Sequence, residues 1–125
     1  MSTVIDTSVI IDILRGLSAA VDYVERLEDV PACSEITRVE VARGLRSAEQ
    51  APAERLFQQL RWVALDEPIA RRAGELGRKW RKSHPGIISP DLVIAATAEQ
   101  LGADLATSNV RHFPMFKRLQ APYRG

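Results

Sequence analysis

Four acidic or amide side chains each adjoin an apolar run, and this pattern constrains the fold of the chain more than any other feature. They are Asp6 in TVIDTSVIID, Glu40 in ITRVEVARG, Asp91 in SPDLVIAATA and Asn109 in LATSNVRHF. A single carboxylate beside a buried run is costly to remove from water. Carboxylates that a fold brings together repel one another unless a divalent cation neutralises them, and oxygen ligands favour Mg²⁺ or Mn²⁺. The pattern therefore predicts a fold that gathers these side chains around an ion.

Length and composition are those of an ordinary globular protein. The 125 residues suit one domain with a sizeable core, and we assign residues 1–125 to a single domain. The sequence shows neither a secretory signal nor an apolar run of membrane-spanning length, so we expect a cytoplasmic protein that does not enter a membrane. The single cysteine, Cys33, excludes an internal disulfide and a Cys-rich zinc site.

The net charge of +1 conceals an asymmetry along the chain. Residues 1–40 carry eight acids and three bases, whereas residues 41–125 carry eight acids and fourteen bases. The densest basic stretch lies between residues 71 and 82. A basic half beside an acidic metal pocket suits a metal-dependent hydrolase that cuts phosphodiesters, because cations bind the phosphates. Charge alone favours the simpler interpretation, for the asymmetry and for the basic stretch, that these residues form solvated helix faces.

Apolar runs and turn residues predict alternating strands and helices. We expect strands over 3–5, 32–34, 63–65 and 103–107, with a possible last strand in the C-terminal tail. We expect six helices, over about 7–15, 18–29, 37–47, 53–62, 69–83 and 91–101, with Thr7 or Ser8 capping the first and Thr37 the third. Short strands that alternate with helices predict an α/β fold, a three-layer sandwich in which helices flank a short parallel sheet.

The four side chains fall at positions where such a fold binds ligands. Asp6 and Asn109 directly follow predicted strands, and ligands collect beyond the carboxyl ends of parallel strands. Glu40 and Asp91 lie near helix N-termini, where the helix dipole favours anions. Taken singly, each residue has an ordinary alternative: a helix cap for Asp6, a solvated helix position for Glu40, a dipole partner for Asp91 and a turn residue for Asn109.

Four segments together resemble the PIN-domain family, and more narrowly the VapC-type toxins of type II toxin–antitoxin pairs. VIDTSVIIDILRG resembles the family's opening strand, acid and helix, and TRVEVARG resembles its T-x-x-E helix. SPDLVIAATA resembles the helix of the third acid, and LATSNVRHFPMF resembles the C-terminal T-x-N/D segment. The four segments occur in the family's order and span nearly the full chain.

The resemblance implies a Mg²⁺-dependent endoribonuclease, with Mn²⁺ as the alternative ion. Asp6, Glu40 and Asp91 would hold the metal, and hydrolysis by activated water would leave a 5′-phosphate and a 3′-hydroxyl. Asn109 occupies the position of the family's fourth acid and joins the catalytic set as a neutral ligand. His112 lies at the alternative acidic position. Ser8 and Thr107 correspond to supporting hydroxyl residues.

The resemblance also implies partners. RNA is the implied substrate, and a cognate VapB-like antitoxin is the implied inhibitor, with its C-terminal segment in a groove beside the site. A homodimer and a toxin–antitoxin hetero-oligomer are typical of the family. The sequence does not disclose the RNA target.

Three other functions are weighed against this one. A phosphoacceptor receiver domain needs paired acids after the first strand and a late lysine at a strand end, but Thr7 and Ser8 follow Asp6. A haloacid-dehalogenase-like phosphatase needs a second acid where Ser8 stands. A PIN-fold module that binds RNA or antitoxin without catalysis stays open, because Asn109 carries no charge.

Overall fold

A four-stranded parallel sheet forms the centre of the computed structural model, which describes residues 2–124. The strands are β1 (Thr3–Ile5), β2 (Ala32–Ser34), β3 (Arg61–Val63) and β4 (Asp104–Ala106). They pair in the order β3-β2-β1-β4, so the first and last strands are neighbours. Their register places Ile5 opposite Ala106. The carboxyl ends of β1 and β4 therefore lie side by side.

In the part of the chain that the structure describes, six α-helices flank the sheet. They are α1 (Thr7–Leu14), α2 (Ser18–Glu25), α3 (Glu35–Ala42), α4 (Gln50–Phe57), α5 (Glu67–Trp80) and α6 (Ser89–Leu101). Short 3-10 turns lie at Ser47–Glu49 and Val110–His112. The predicted α/β sandwich is confirmed. Within residues 2–124, no helix is both long and apolar enough to cross a bilayer.

Alternate residues of the strands form the two halves of the core. Val4, Ala32 and Leu105 pack with α5 and α6, whereas Ile5, Cys33 and Ala106 pack with α1, α3 and α4. This alternation follows from the two-residue period of a β-strand, and burial on both faces explains why the strands are apolar throughout. Cys33 is fully buried, and burial raises the pKa of its thiol to about 12, so it is a core residue and not a nucleophile.

The predicted helix caps are wrong at two positions. Asp6, not Thr7 or Ser8, occupies the N-cap position of α1, and its side chain makes no capping bond. Ser34 caps α3 by accepting a hydrogen bond from the Ile36 N–H at 3.2 Å, and Thr37 lies inside the helix. A hydroxyl near a helix start resembles a cap in sequence, but Thr7, Ser8 and Thr37 bond elsewhere.

Several predicted boundaries also change. The third helix ends at Ala42 instead of 47, and α4 covers 50–57 instead of 53–62. The third strand begins at Arg61, two residues early, because Trp62 pairs with Cys33 in the sheet. The proposed C-terminal strand is wrong: residues 113–124 form turns and bends, and the described residues contain four strands.

Helices α5 and α6 pack closely, and two glycines of α5 report on this contact. A Cβ at Gly77 would lie 2.9 Å from Leu92 Cδ1, whereas a Cβ at Gly74 would meet no atom within 4 Å. We expect Gly74→Ala to raise the free energy of unfolding by about 0.5–1 kcal/mol through helix propensity. Gly77→Ala should raise the free energy of unfolding by less, because the Leu92 side chain must move to make room for the new Cβ. Urea denaturation of the two variants measures the difference, and an equal gain would contradict the close approach.

Candidate active site

A cleft of about 370 Å³ opens at the carboxyl ends of β1 and β4. The chain leaves β1 toward β2 on one side and later returns to β4 on the other, so this point is where the strand order reverses. Open parallel sheets bind their ligands at such a point. The cleft is lined by Asp6, Thr7, Ser8, Ile11, Asp12, Arg15, Glu40, Ile88, Asp91, Ser108, Asn109 and His112. All four sequence-predicted catalytic residues therefore line one cleft.

Asp6 is held by hydroxyl groups from both ends of the chain. Its Oδ2 atom accepts hydrogen bonds from Ser8 Oγ at 2.9 Å and from Thr107 Oγ1 at 2.6 Å. Both bonds fall on one oxygen, so Oδ1 has no donor among the described residues. The carboxylate is only 3% exposed, which makes these bonds to a charged acceptor energetically important. Ser8 and Thr107 thus orient Asp6 and leave one oxygen for a ligand.

Thr107 is itself part of a small hydroxyl network. Its Oγ1 lies 3.4 Å from Ser8 Oγ and accepts the Asn109 N–H at 2.9 Å. Ser8 Oγ accepts the Ser108 N–H at 3.2 Å. The turn after β4 is therefore tied to the turn after β1, and the two segments position Asn109 at the cleft.

Glu40 enters the cleft from α3. Thr7 Oγ1 donates to Glu40 Oε1 at 2.7 Å and lies 3.0 Å from Thr37 Oγ1. Residues three apart lie on one face of a helix, so the T-x-x-E spacing places Thr37 and Glu40 together against Thr7. The hydroxyls of Thr7 and Thr37 were predicted as caps; instead they orient the second carboxylate.

Asp91 lies in the first turn of α6 and is 7% exposed. Its Oδ2 accepts the Ile88 N–H at 3.1 Å and lies 3.1 Å from His112 Nδ1. Burial raises the pKa of Asp91, and the negative charges of Asp6 and Glu40 act in the same direction. The Ile88 N–H and His112 oppose this effect. The three carboxylates therefore repel one another across the cleft.

Asn109 and His112 lie on the rim. The Asn109 side chain is exposed and makes no hydrogen bond within residues 2–124. His112 reaches Asp91 and is half-exposed, so it adjoins the site instead of belonging to the core. Phe113, its neighbour, is buried in the core.

Sequence reasoning missed two charged residues of the cleft wall. Asp12 lines the cleft and accepts a hydrogen bond from Tyr123 Oη at 2.6 Å. Arg15 also lines the cleft and contributes a positively charged side chain to it. Asp12 and Arg15 lie four and seven residues after Ser8, which is the spacing of one helix face. That spacing was the signal that could have identified them.

The donor set suits a hard divalent cation. Asp6, Glu40 and Asp91 offer oxygen atoms only, and each has an oxygen that no protein group occupies in the described residues. Within residues 2–124, no three acidic, histidine or cysteine side chains stand close enough to chelate an ion unaided. Mg²⁺ in proteins commonly keeps several bound waters and is held by one or two carboxylates, so carboxylates that are too far apart to chelate it together are still compatible with Mg²⁺. The donor chemistry of the cleft therefore suits such an ion.

The structure combines a short parallel sheet with an acidic cleft at the point where the strand order reverses. The carboxylates of the cleft come from separate segments of the chain. These features define a class of α/β proteins. The family model of the PIN domain matches residues 3–120, and the chain belongs to the PIN-domain family. The predicted family membership is confirmed.

Relatives in the family are named as ribonucleases. Ribonuclease VapC19 of Mycobacterium tuberculosis is 46% identical over 123 residues, covering 95% of this chain and 98% of that protein. Ribonuclease VapC10 of the same organism is 43% identical over 121 residues, covering 95% and 91%. Among solved structures, a chain of a toxin–antitoxin complex from Klebsiella pneumoniae aligns with a TM-score of 0.83 at 26% identity, covering 98% of this chain and 99% of that one. The VapC-type resemblance is therefore confirmed along nearly the whole chain.

The bond between Tyr123 and Asp12 ties the C-terminal tail to the cleft wall. Burial, and then the Asp12 carboxylate, raises the pKa of Tyr123. Tyr123→Phe removes the hydroxyl and keeps the ring, so we expect the free energy of unfolding to fall by about 1 kcal/mol. Tyr23→Phe is the matched control, because the centroids of the Tyr23 and Tyr123 rings lie 6.1 Å apart with the planes tilted by 45°, and the Tyr23 hydroxyl makes no hydrogen bond in residues 2–124. Urea denaturation compares them; equal losses would contradict the bond.

Proposed function

We propose that the protein is a Mg²⁺-dependent endoribonuclease and the toxic component of a type II toxin–antitoxin module. The observation that carries the proposal is the meeting of Asp6, Glu40 and Asp91, from three distant segments, at one cleft where hydroxyls orient two of them. Relatives that are named as ribonucleases and match over 91% or more of their own length support the choice of RNA. Mn²⁺ is the alternative ion.

The chemistry divides between the ion and the chain. A bound divalent ion lowers the pKa of water and neutralises charge on a phosphate undergoing attack. The protein's part is to present carboxylate oxygens in fixed positions, since Ser8 and Thr107 restrain Asp6 while Thr7 restrains Glu40. The Ile88 N–H restrains Asp91. Arg15 supplies a positive charge at the rim where a phosphate would enter. Hydrolysis with water as the nucleophile leaves a 5′-phosphate and a 3′-hydroxyl.

A VapB-like antitoxin is the proposed inhibitor. The toxin–antitoxin complex from Klebsiella pneumoniae contains a chain of this fold, which supports such a partner here. The electrostatics are suitable, because a basic side chain in the cleft would neutralise carboxylates that now repel one another. A homodimer and a toxin–antitoxin hetero-oligomer are part of the same proposal.

A catalytically inactive PIN-fold module that binds RNA or antitoxin is the second candidate. Asn109 favours it, because an amide can ligate through oxygen but adds no charge to the site. Metal binding without RNA cleavage distinguishes this candidate from the nuclease.

We expect Asp6→Asn and Asp91→Asn each to reduce RNA cleavage by about 10²-fold or more, the scale on which one preorganised charged group acts. Asn109→Ala reduces it less, because no charge is lost. The assay follows cleavage of total cellular RNA by antitoxin-free protein in Mg²⁺, in Mn²⁺ and in EDTA, and maps the ends of the fragments. Full activity of both acid variants would overturn the assigned site. A loss in Asn109→Ala equal to that in Asp6→Asn would make Asn109 an essential ligand.

Metal binding has a readout that does not require activity. Because an ion that binds the folded state adds RT ln(1 + [L]/Kd), Mn²⁺ at a hundred times its Kd should add about 2.7 kcal/mol to the free energy of unfolding. We expect Asp6→Asn to lose most of this gain in thermal denaturation with and without the ion. Asp22→Asn is the control, since Asp22 is an exposed carboxylate of α2 outside the cleft. Equal stabilisation of wild type and Asp6→Asn would place the ion elsewhere.

A further inference from the structure

The two halves of helix α5 differ in how their cations are neutralised. In the first half, Arg72 bonds Glu99 at 2.6 Å and Glu75 at 3.1 Å, and Arg71 lies 3.7 Å from Glu67. In the second half and just beyond it, four cations within five residues form no ion pair with any carboxylate of the described residues. These are Arg78, Lys79, Arg81 and Lys82, called the basic segment below.

The basic segment is exposed and electrostatically unfavourable on its own. All four side chains are solvent-exposed, and the nearest preceding acid, Glu75, is already bonded to Arg72. Arg78 and Lys79 lie in the last turn of α5 and Arg81 and Lys82 follow it, so four like charges that repel one another lie within five residues. The helix dipole favours cations in the last turn. Arg81 and Lys82 follow the end of α5 at Trp80, however, so the dipole accounts for only part of the cluster.

The basic segment lies close to the acidic cleft. Arg81 lines a small cavity together with Ile87 and Leu92, which belong to the loop before α6 and to α6 itself. The next residue, Ile88, lines the catalytic cleft, and its N–H holds Asp91. Ile87 and Ile88 are consecutive residues, so Arg81 shares a cavity with the residue that directly precedes the wall of the cleft.

We propose that the basic segment binds the phosphates of RNA flanking the scissile bond. The inference rests on the proposed endoribonuclease function and adds to it a second contact surface outside the cleft. Unpaired cations attract a polyanion through release of its counterions, without reading its sequence. The acidic cleft repels the same polyanion until an ion is bound, so a separate cationic surface is needed to retain the substrate. The alternative ligand for this surface is an acidic segment of a protein.

The test compares two double variants that remove the same charge from the same region. Arg81→Ala/Lys82→Ala removes two unpaired cations, and the control Arg71→Ala/Arg72→Ala removes two paired ones. Binding of a labelled 20-nucleotide single-stranded RNA is measured by fluorescence anisotropy in EDTA, between roughly 50 mM and 500 mM salt. Thermal denaturation verifies that each variant is folded.

Each single-strand phosphate contact contributes about 0.7 to the slope of log K against log salt. We expect Arg81→Ala/Lys82→Ala to lower the magnitude of that slope by about 1.4 and to weaken binding about 10-fold or more at low salt. The control variant should change the slope little. Equal slopes for wild type and Arg81→Ala/Lys82→Ala would overturn the inference and favour the acidic protein segment.

Cleavage separates this inference from the proposed function. With metal present, Arg81→Ala/Lys82→Ala should raise KM for the 20-nucleotide RNA with little change in kcat, while a dinucleotide too short to leave the cleft is cleaved as by wild type. A wild-type protein that cleaves no RNA but retains the slope difference would overturn the nuclease and leave the RNA surface in place. Equal KM values for the long RNA would overturn the surface and leave the nuclease.

Discussion

The pairing of β1 with β4 is the constraint on which the site depends. It joins two strands from opposite ends of the chain, and the Thr107–Asp6 bond at 2.6 Å spans 101 residues at the edge of that pairing. Without it, Asp6 would lose one of its two hydroxyl donors, and Asn109 would have no fixed position. The contact also creates the switch point in strand order, which opens the cleft. Fold and site are therefore specified by the same long-range contact.

The clustered carboxylates of the site lower the stability of the folded protein. Four carboxylates line one cleft, and burial together with the charges of Asp6 and Glu40 raises the pKa of Asp91. The chain offsets part of this cost with hydroxyl and backbone donors, which orient the acids without neutralising them. A divalent ion or a basic side chain of a partner would complete the neutralisation. The same unfavourable charge thus accounts for the proposed cofactor and for the proposed inhibitor.

Sequence patterns predicted some elements well and others poorly, for physical reasons. Strands β1 and β2 fall where short apolar runs predict them, because burial on both faces demands such runs. The third strand was predicted two residues too late along the chain, because Arg61–Val63 is only partly buried and the apolar pattern of its sequence is weak. The hydroxyls of Thr7, Ser8 and Thr37 were mistaken for caps. Thr7 and Thr37 contact each other across the fold, and Ser8 donates to the Asp6 side chain instead of a helix N–H. Tyr123 reaches Asp12 over 111 residues, which local spacing does not reveal.

The sequence by itself predicted the α/β fold class and singled out Asp6, Glu40, Asp91 and Asn109, which the fold brings to one cleft, because period and position relative to apolar runs are local properties. The sequence also contained the basic segment, but it did not show whether the cations of that segment form ion pairs. Tertiary structure alone decided which oxygen of each acid is held and that Asp12 and Arg15 share the cleft. It likewise decided which cations of α5 have partners. Those features depend on distances between segments far apart in the chain, and such distances exist only once the sheet has formed.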